Sequence, residues 1–236
     1  MAQLTAAAPP GGIAVVIPVR NEAAHLPLLL ADLSLAPPGL ISELLVVDGG
    51  SSDGSGRLAR LAGAALRQVA GGRGAQLVAG VAATEAPWLL LLHGDLRLPP
   101  RWWESVRAAL GQAEAAWYFR LRVQEPGLAL RLMEAAVELR SRWACMPYGD
   151  QGLLLPRRLL ERVGGLRPLP LMEDLDLVLR LRRWAPVRCL GPVVWVEGRR
   201  WRRLGVWRTT WHNARLRRAW RHGTEAGELA RRYYQL

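Results

Sequence analysis

Three acids stand at or just past the ends of short apolar runs. Glu22 follows Ile13 to Val19, Asp48 closes Leu44 to Val47, and Asp95 lies within Trp88 to Leu98 (W-L-L-L-L-H-G-D-L-R-L). Such runs, closed by Gly or Pro, read as strands buried on both faces, and parallel sheets of that kind hold ligands at the carboxyl ends of their strands. One carboxylate plus substrate phosphates is a usual way to hold a magnesium-like ion. Asp95 is therefore a metal candidate, with Gly94 leaving room for a phosphate; an Asp that only satisfies backbone in a tight turn is the other reading. Asp48 and the loop from Gly49 to Gly54 can offer a carboxylate to a base or ribose and backbone N–H groups to an anion. The same loop also reads as a plain helix cap. Three acids in consecutive βα units point at one crevice, which favours a nucleotide-and-metal pocket over three separate caps. Of four histidines, only His93 is placed to touch a ligand.

Glu173-Asp174 stands at a predicted helix start, where the dipole favours ionised carboxylates; a bland helix N-terminus has the same appearance. Arg73, in Gly71-Gly72-Arg73-Gly74, can meet a phosphate or stay solvated. The chain has no G-x-x-x-x-G-K-[ST] loop, and no G-x-G-x-x-G follows its first strand. From Arg199 to Arg221, Trp201, Trp207, Trp211 and Trp220 interleave with arginines, as in a helix lying on an anionic surface. A core-packing helix with solvated arginines fits that stretch equally.

The elements that must position these residues alternate. Ile13–Val19 predicts a strand, and Asn21 can cap a helix with Leu26, Leu29, Leu30 and Leu33 on its apolar face. Leu44–Val47 is a strand, Ser55 to about Ala65 a helix, Gly71–Gly74 the opening of a helix through about Ala83, and the Trp88 run a strand. Strand and helix at this interval mean right-handed βαβ units. Beyond Pro100 come a helix over 101–110, a strand over 116–123, a helix over 128–142, the apolar run Leu153–Leu155 and a helix from Met172-Glu173-Asp174 through Trp184. A last strand over 187–196 is interrupted at Gly191-Pro192, and the rest is helical. The reading is one domain over 13–222, with halves 13–98 and 99–222, between a loose tail (1–12) and a helical tail (223–236).

With 236 residues, half of them hydrophobic, the chain can bury a core without crosslinks. Cys145 and Cys189 have neither disulfide-framework nor zinc-ligand spacing, so a reducing cytoplasm is the expected setting. The first residues lack the charge and apolar core of a signal peptide, and no run approaches the ~20 apolar residues of a membrane span. The formal charge is +12 and every one of the 32 basic residues is arginine, which suits phosphate-bearing ligands, anionic lipid or nucleic acid. The absence of lysine excludes any mechanism that needs one.

Taken together, these stretches resemble a family 2 glycosyltransferase of the GT-A fold, and more narrowly the subgroup associated with arsenosugar biosynthesis. The resemblance rests on Val16 to Glu22 (V-I-P-V-R-N-E), Val46 to Gly54 (V-V-D-G-G-S-S-D-G), Gly72 to Gln76 (G-R-G-A-Q), His93-Gly94-Asp95, Gly149-Asp150-Gln151, Pro170 to Asp174 (P-L-M-E-D) and Arg199-Arg200-Trp201. It implies an α/β fold with a mostly parallel central sheet flanked by helices. It also implies an inverting transfer from a nucleotide-diphosphate sugar to the hydroxyl of an unknown acceptor, with Mg²⁺ or Mn²⁺. In that frame Pro18, Asn21, Glu22, Asp48, Gly49, Arg73, Gly94 and Asp95 would bind the donor. Asp150, Gln151, Glu173, Arg200 and Trp201 would face the acceptor or diphosphate, and Asp174 would be the base. Where the wider family has a first aspartate this chain has His93, which leaves Asp95 as the acidic metal ligand and His93 as a further candidate. No nucleic-acid partner is expected; peripheral contact with an anionic membrane at its inner face is. A catalytically weak or inactive basic module on a membrane or nucleic acid is the alternative from another class. A sugar nucleotidyltransferase is the third reading, against which the missing lysine counts.

Overall fold

The β-branched run Ile13–Val19 forms strand β1, buried at every position. Helix α1 (Leu26–Ser34) crosses back and delivers β2 (Ile41–Asp48), which pairs in parallel with β1. Helix α2 (Ser55–Leu61) is shorter than expected. The chain leaves it at Gly63, whose φ of +79° suits glycine, and Ala65–Gln68 becomes an edge strand, β3, parallel to β2. A polar four-residue edge strand carries too little alternation to be read from sequence. Helix α3 (Arg73–Ala82) leads to β4 (Trp88–Leu91), parallel to β1 on its other side. These residues come from a computed structural model that describes 11–112 and 114–235, without the side chain of Tyr234. Residues 1–10 of the expected loose tail lie outside the described residues.

The second half adds β5 (Leu96–Arg97), α4 (Trp102–Leu110), β6 (Ala116–Val123), α5 (Leu128–Trp143), a 3-10 turn over Gly149–Gln151, β7 (Leu153–Pro156), α6 (Arg157–Arg162), α7 (Glu173–Leu181), β8 (Val187–Val196), α8 (Arg199–Leu204), α9 (Val206–Arg221) and α10 (Ala226–Tyr234). The eight strands form one sheet in the order β3-β2-β1-β4-β7-β6-β8-β5. Four of its pairings are parallel, and β7 enters antiparallel between β4 and β6. Strand β8 runs through Gly191-Pro192 without a break, because a register shift opposite Tyr118 and Arg120 of β6 absorbs the extra residues. Helix α6 is an element the sequence did not announce, and α7 stops at Leu181, short of Trp184.

One core lies under α1 and α4 on one sheet face, a second under α3 and α7 on the other, and a third joins α7 to α9 and α10 through Leu175, Leu216 and Leu229. The third core brings the C-terminal helices over the strand ends. Among the described residues, no helix is long and apolar enough to cross a membrane.

Candidate active site

A cleft of about 910 Å³ opens at the carboxyl ends of β1 and β4, within the size range of small-molecule sites. One wall is Pro18, Glu22, Arg73, His93, Gly94 and Asp95; the other is Tyr148, Asp150, Asp174, Arg199, Arg200, Trp201, Asn213 and Arg217. Two of the three expected strand-end acids, Glu22 and Asp95, therefore face the same space. The third, Asp48, is buried at 2% exposure, and its Oδ1 accepts from the Ser51 amide (2.9 Å) and hydroxyl (2.6 Å). It does not line the cleft.

The loop after β2 uses up its polar atoms in the same way. Asn21, at φ +56°, accepts at Oδ1 from the Ser52 amide (2.9 Å) and donates its own amide to Ser51 Oγ (2.9 Å). It caps no helix: His25 occupies the position before α1, which has no side-chain cap. Asp53 accepts from the Ser55 and Ala23 amides, so the first two strand-end loops are laced together. Gly49 packs against Gln76, whose buried Nε2 donates to the carbonyls of Val19 (2.9 Å) and Val47 (2.7 Å). Gln76 thus clamps β1 to β2 at the cleft floor, a role with no signal in its spacing.

Gly94 lines the cleft and also has a packing role. A Cβ there would sit 2.9 Å from Val19 and 3.4 Å from Glu22, so the missing side chain lets β4 close on β1. Among the described residues the Asp95 carboxyl makes no hydrogen bond to another side chain, and its own amide is the backbone donor that acts on it. Burial raises the pKa of its carboxyl against the pull of Arg199, and burial with the Asp95 charge raises that of Glu22, although Glu22 pairs with Arg199. Two neighbouring carboxylates held up by desolvation and repulsion are suited to a cation. No three His, Cys, Asp or Glu side chains converge among the described residues, so a metal here would take most of its ligands from phosphates and water. His93 lines the cleft with Asp95. Its Nε2 would lie 2.6 Å from a Cβ on Gly149, and burial together with Arg73 lowers its pKa to about 3, keeping it neutral.

The opposite wall is set by a strained turn. Met172, buried and at φ +68°, has a left-handed backbone that costs on the order of 1–3 kcal/mol in a non-glycine residue. It aims α7 so that its first residues meet the cleft. Glu173 is fully buried and ion-paired with Arg73, while burial pushes its pKa up. Arg73 is thereby committed to the protein rather than left solvated, and it ties α3 to α7. Asp174 accepts at Oδ2 from the Gly149 amide (2.8 Å) and at Oδ1 from the Leu175 amide (2.7 Å). Burial alone would raise its pKa, but the Arg73 charge and these two amides hold it below the usual carboxylate range, so it is ionised.

Asp150 faces Asp174 with its Oδ1 buried and unpartnered; burial pushes its pKa up to about 6, against Arg140 and with Asp174. Gln151 belongs to the fold instead: fully buried, it donates to Phe119 O (3.1 Å), accepts from Ser141 (2.9 Å) and does not line the cleft. Arg200 stacks 3.6 Å over Tyr233, and Trp201 packs against the first core. Tyr148, Arg199 and Arg217 also line the cleft, and neither Tyr148 nor Arg217 carries an individual signal in the sequence. Only Arg199 had a signal, as the first residue of the Arg-Arg-Trp motif.

A model described as glycosyl transferase family 2 matches residues 14–167. Undecaprenyl-phosphate 4-deoxy-4-formamido-L-arabinose transferase of Aeromonas hydrophila is 36% identical over 98 residues, 37% of this chain and 30% of that protein. The match thus spans less than a third of that relative's length. Glucosyl-3-phosphoglycerate synthase from Mycobacterium tuberculosis, solved with Mn²⁺, uridine diphosphate and glucosyl-3-phosphoglycerate, superposes with a TM-score of 0.56 at 23% identity, over 77% of this chain and 70% of that one. S. aureus TarS superposes with a TM-score of 0.64 at 16% identity, over 79% of this chain and 36% of that one. At these identities the structural likeness speaks for the fold, which is the α/β architecture of the GT-A type.

Proposed function

The chain belongs to glycosyl transferase family 2, and from that premise we propose that it moves a sugar from a nucleotide-diphosphate donor to an acceptor hydroxyl with inversion. The observation that carries this reading is Asp174: an ionised, amide-anchored carboxylate opening on the same cleft as Asp95 and Glu22. A base must be ionised to take a proton, and Asp174 is held in that form by Arg73 and the head of α7. It would accept the hydroxyl proton as the acceptor attacks the anomeric carbon from the face opposite the leaving diphosphate. Glu173 would act through Arg73, fixing the helix start without touching substrate.

Asp95, with Glu22 beside it, would hold Mg²⁺ or Mn²⁺, whose charge would neutralise the diphosphate. Arg200 and Trp201 would close the cleft over the donor. Asp48 and Asn21 would shape the base pocket through their loop rather than by offering free side chains. The two related proteins named with uridine nucleotide or a lipid-linked product give the donor and acceptor classes to try first. Residues 13–222 are read as one catalytic domain in the cytoplasm.

A specific surface favours peripheral contact with an anionic membrane. Helix α5 turns Leu128, Leu132, Leu139 and Trp143 outward on one stripe, at 53–83% exposure, and α9, packed against it, exposes Trp207 and Trp211 among arginines. Retention on phosphatidylglycerol vesicles should fall when Leu132 and Leu139 become Glu; unchanged retention would remove this contact from the proposal.

The function itself is tested by melting the protein with a panel of nucleotide sugars, with and without Mn²⁺. A donor at ~100 times its dissociation constant adds about 2.7 kcal/mol of stability. No metal-dependent shift with any donor would return the reading to an inactive basic module.

A further inference from the structure

The arginines of the cleft are not equivalent. Arg73 is neutralised by Glu173, and Arg199 by Glu22 and by Glu197 at 3.5 Å. Arg217 has no such partner. It lines the cleft from α9, and its guanidinium carbon lies 5.2 Å from the Tyr148 ring centroid. Among the described residues no carboxylate is in ion-pair range, and none of its N–H donors finds an acceptor. Stacking occupies the flat face of a guanidinium and leaves its N–H edge available.

The same ring carries a second cation. Arg140 lies 3.6 Å over Tyr148, with Nε donating to Met146 O (3.0 Å) and Nη2 to Gln151 Oε1 (3.4 Å). Burial, followed by the like charge of Arg140, works against the charge of Arg217. One turn earlier on α9, Asn213 also lines the cleft with a buried, unpartnered Oδ1; its amide can turn to present N–H instead. Asp150 lines the same cleft and acts on both arginines, but burial holds its carboxyl toward protonation, so two close cations and an unsatisfied amide share at most one acid and leave room for an anion.

Its position says which anion. Tyr148 precedes Gly149, whose amide holds Asp174, so Arg217 sits on the side of the general base. The charged groups that act most on Asp95 are Arg199, which pairs with Glu22, then His25 and Arg73; Arg217 is not among them.

We propose that Arg217, with Asn213 and the Arg140–Tyr148 stack, binds a phosphate group carried by the acceptor. The inference rests on the glycosyl-transfer reading for the word acceptor, but the anion site stands on its own geometry. The group can belong to a small phosphate ester or to a lipid phosphate.

The test is calorimetric titration of the full chain with inorganic phosphate, with and without saturating uridine diphosphate and Mn²⁺. Phosphate should bind in the presence of the nucleotide. Arg217→Gln should weaken it roughly 10-fold or more, the usual worth of a hydrogen-bonded charge, and Arg218→Gln, at an exposed position next to it, should not. Asn213→Ala should give a smaller loss, and serves if Arg217→Gln melts early. Displacement of the bound phosphate by glycerol 3-phosphate, or by phosphatidic acid vesicles, tells the soluble source from the lipid one. The proposal is overturned if nucleotide expels the phosphate, if both variants bind it like the parent, or if neither competitor displaces it. Arg217-dependent phosphate binding in a protein that takes up no nucleotide with metal would sink the transferase reading and leave the anion site standing.

Discussion

The loop after β2 and the head of α7 both gather carboxylates near the strand ends, yet they use them in different ways. In the loop, Asp48, Ser51, Asp53 and Ser55 answer one another and the amides around them, and Asn21 answers Ser52. At the head of α7 and its surroundings, Asp174 is ionised, Asp150 is held toward protonation with an open oxygen, and Asp95 is raised by burial with only its own amide bonded to it. Polar residue types alone do not separate the two regions. Hydrogen-bond accounting does: the loop spends its acids on its own backbone and hydroxyls, while around α7 Asp174 and Glu173 are anchored and Asp150 keeps a buried oxygen without a partner.

The sharpest break in that comparison is Asp174→Asn. Asn keeps the shape and one amide contact but cannot take a proton, so transfer should fall roughly 10²–10⁴-fold while donor affinity, read by calorimetry, stays near the parent value. Loss of donor binding in step with activity would move Asp174 to the structural side. Glu173→Gln, by contrast, should lower the melting temperature, because it removes the charge that pairs the half-buried Arg73.

Asp95→Asn comes next. It should remove the Mn²⁺-dependent part of the nucleotide-induced melting shift and leave the metal-free part. A full metal-dependent shift in the variant would deny Asp95 its ligand role.

Asp48→Ala tests the other region. Stranding the part-buried Ser51 amide should cost about 1 kcal/mol of stability by denaturant melt, with any loss of nucleotide binding equal with and without metal. A stable variant with selectively lost nucleotide affinity would mean that Asp48 reaches the base after all.

The smallest effect concerns pH. Asp150 is protonated to about pH 6 in the folded state, above the ordinary carboxylate value it has when unfolded. The folded protein therefore binds more protons between about pH 4 and 6, and this group lowers stability as pH rises through that window. Asp150→Asn should flatten that slope and raise the melting temperature above pH 6, but not below pH 4. Equal shifts at both ends would show that the carboxyl is not titrating there.

Most of the elements are legible in the residue order itself, because they are local. Ile13–Val19 and Trp88–Leu91 are continuous apolar runs, and Glu173-Asp174 announces a helix start within a few residues. So the βαβ order and two cleft acids, Glu22 and Asp95, are legible. What is not legible depends on distant partners. Arg73 finds Glu173 100 residues away, and Gln76 bridges carbonyls 57 and 29 residues off. Whether Asp48 is spent or offered depends on Ser51, three residues away but folded back on it. Arg217 is a site residue only because α9 settles beside Tyr148. Residue type and periodicity determine which face of an element is apolar; which polar group is left without a partner is decided only when the elements pack, since burial and pairing are properties of the assembled neighbourhood.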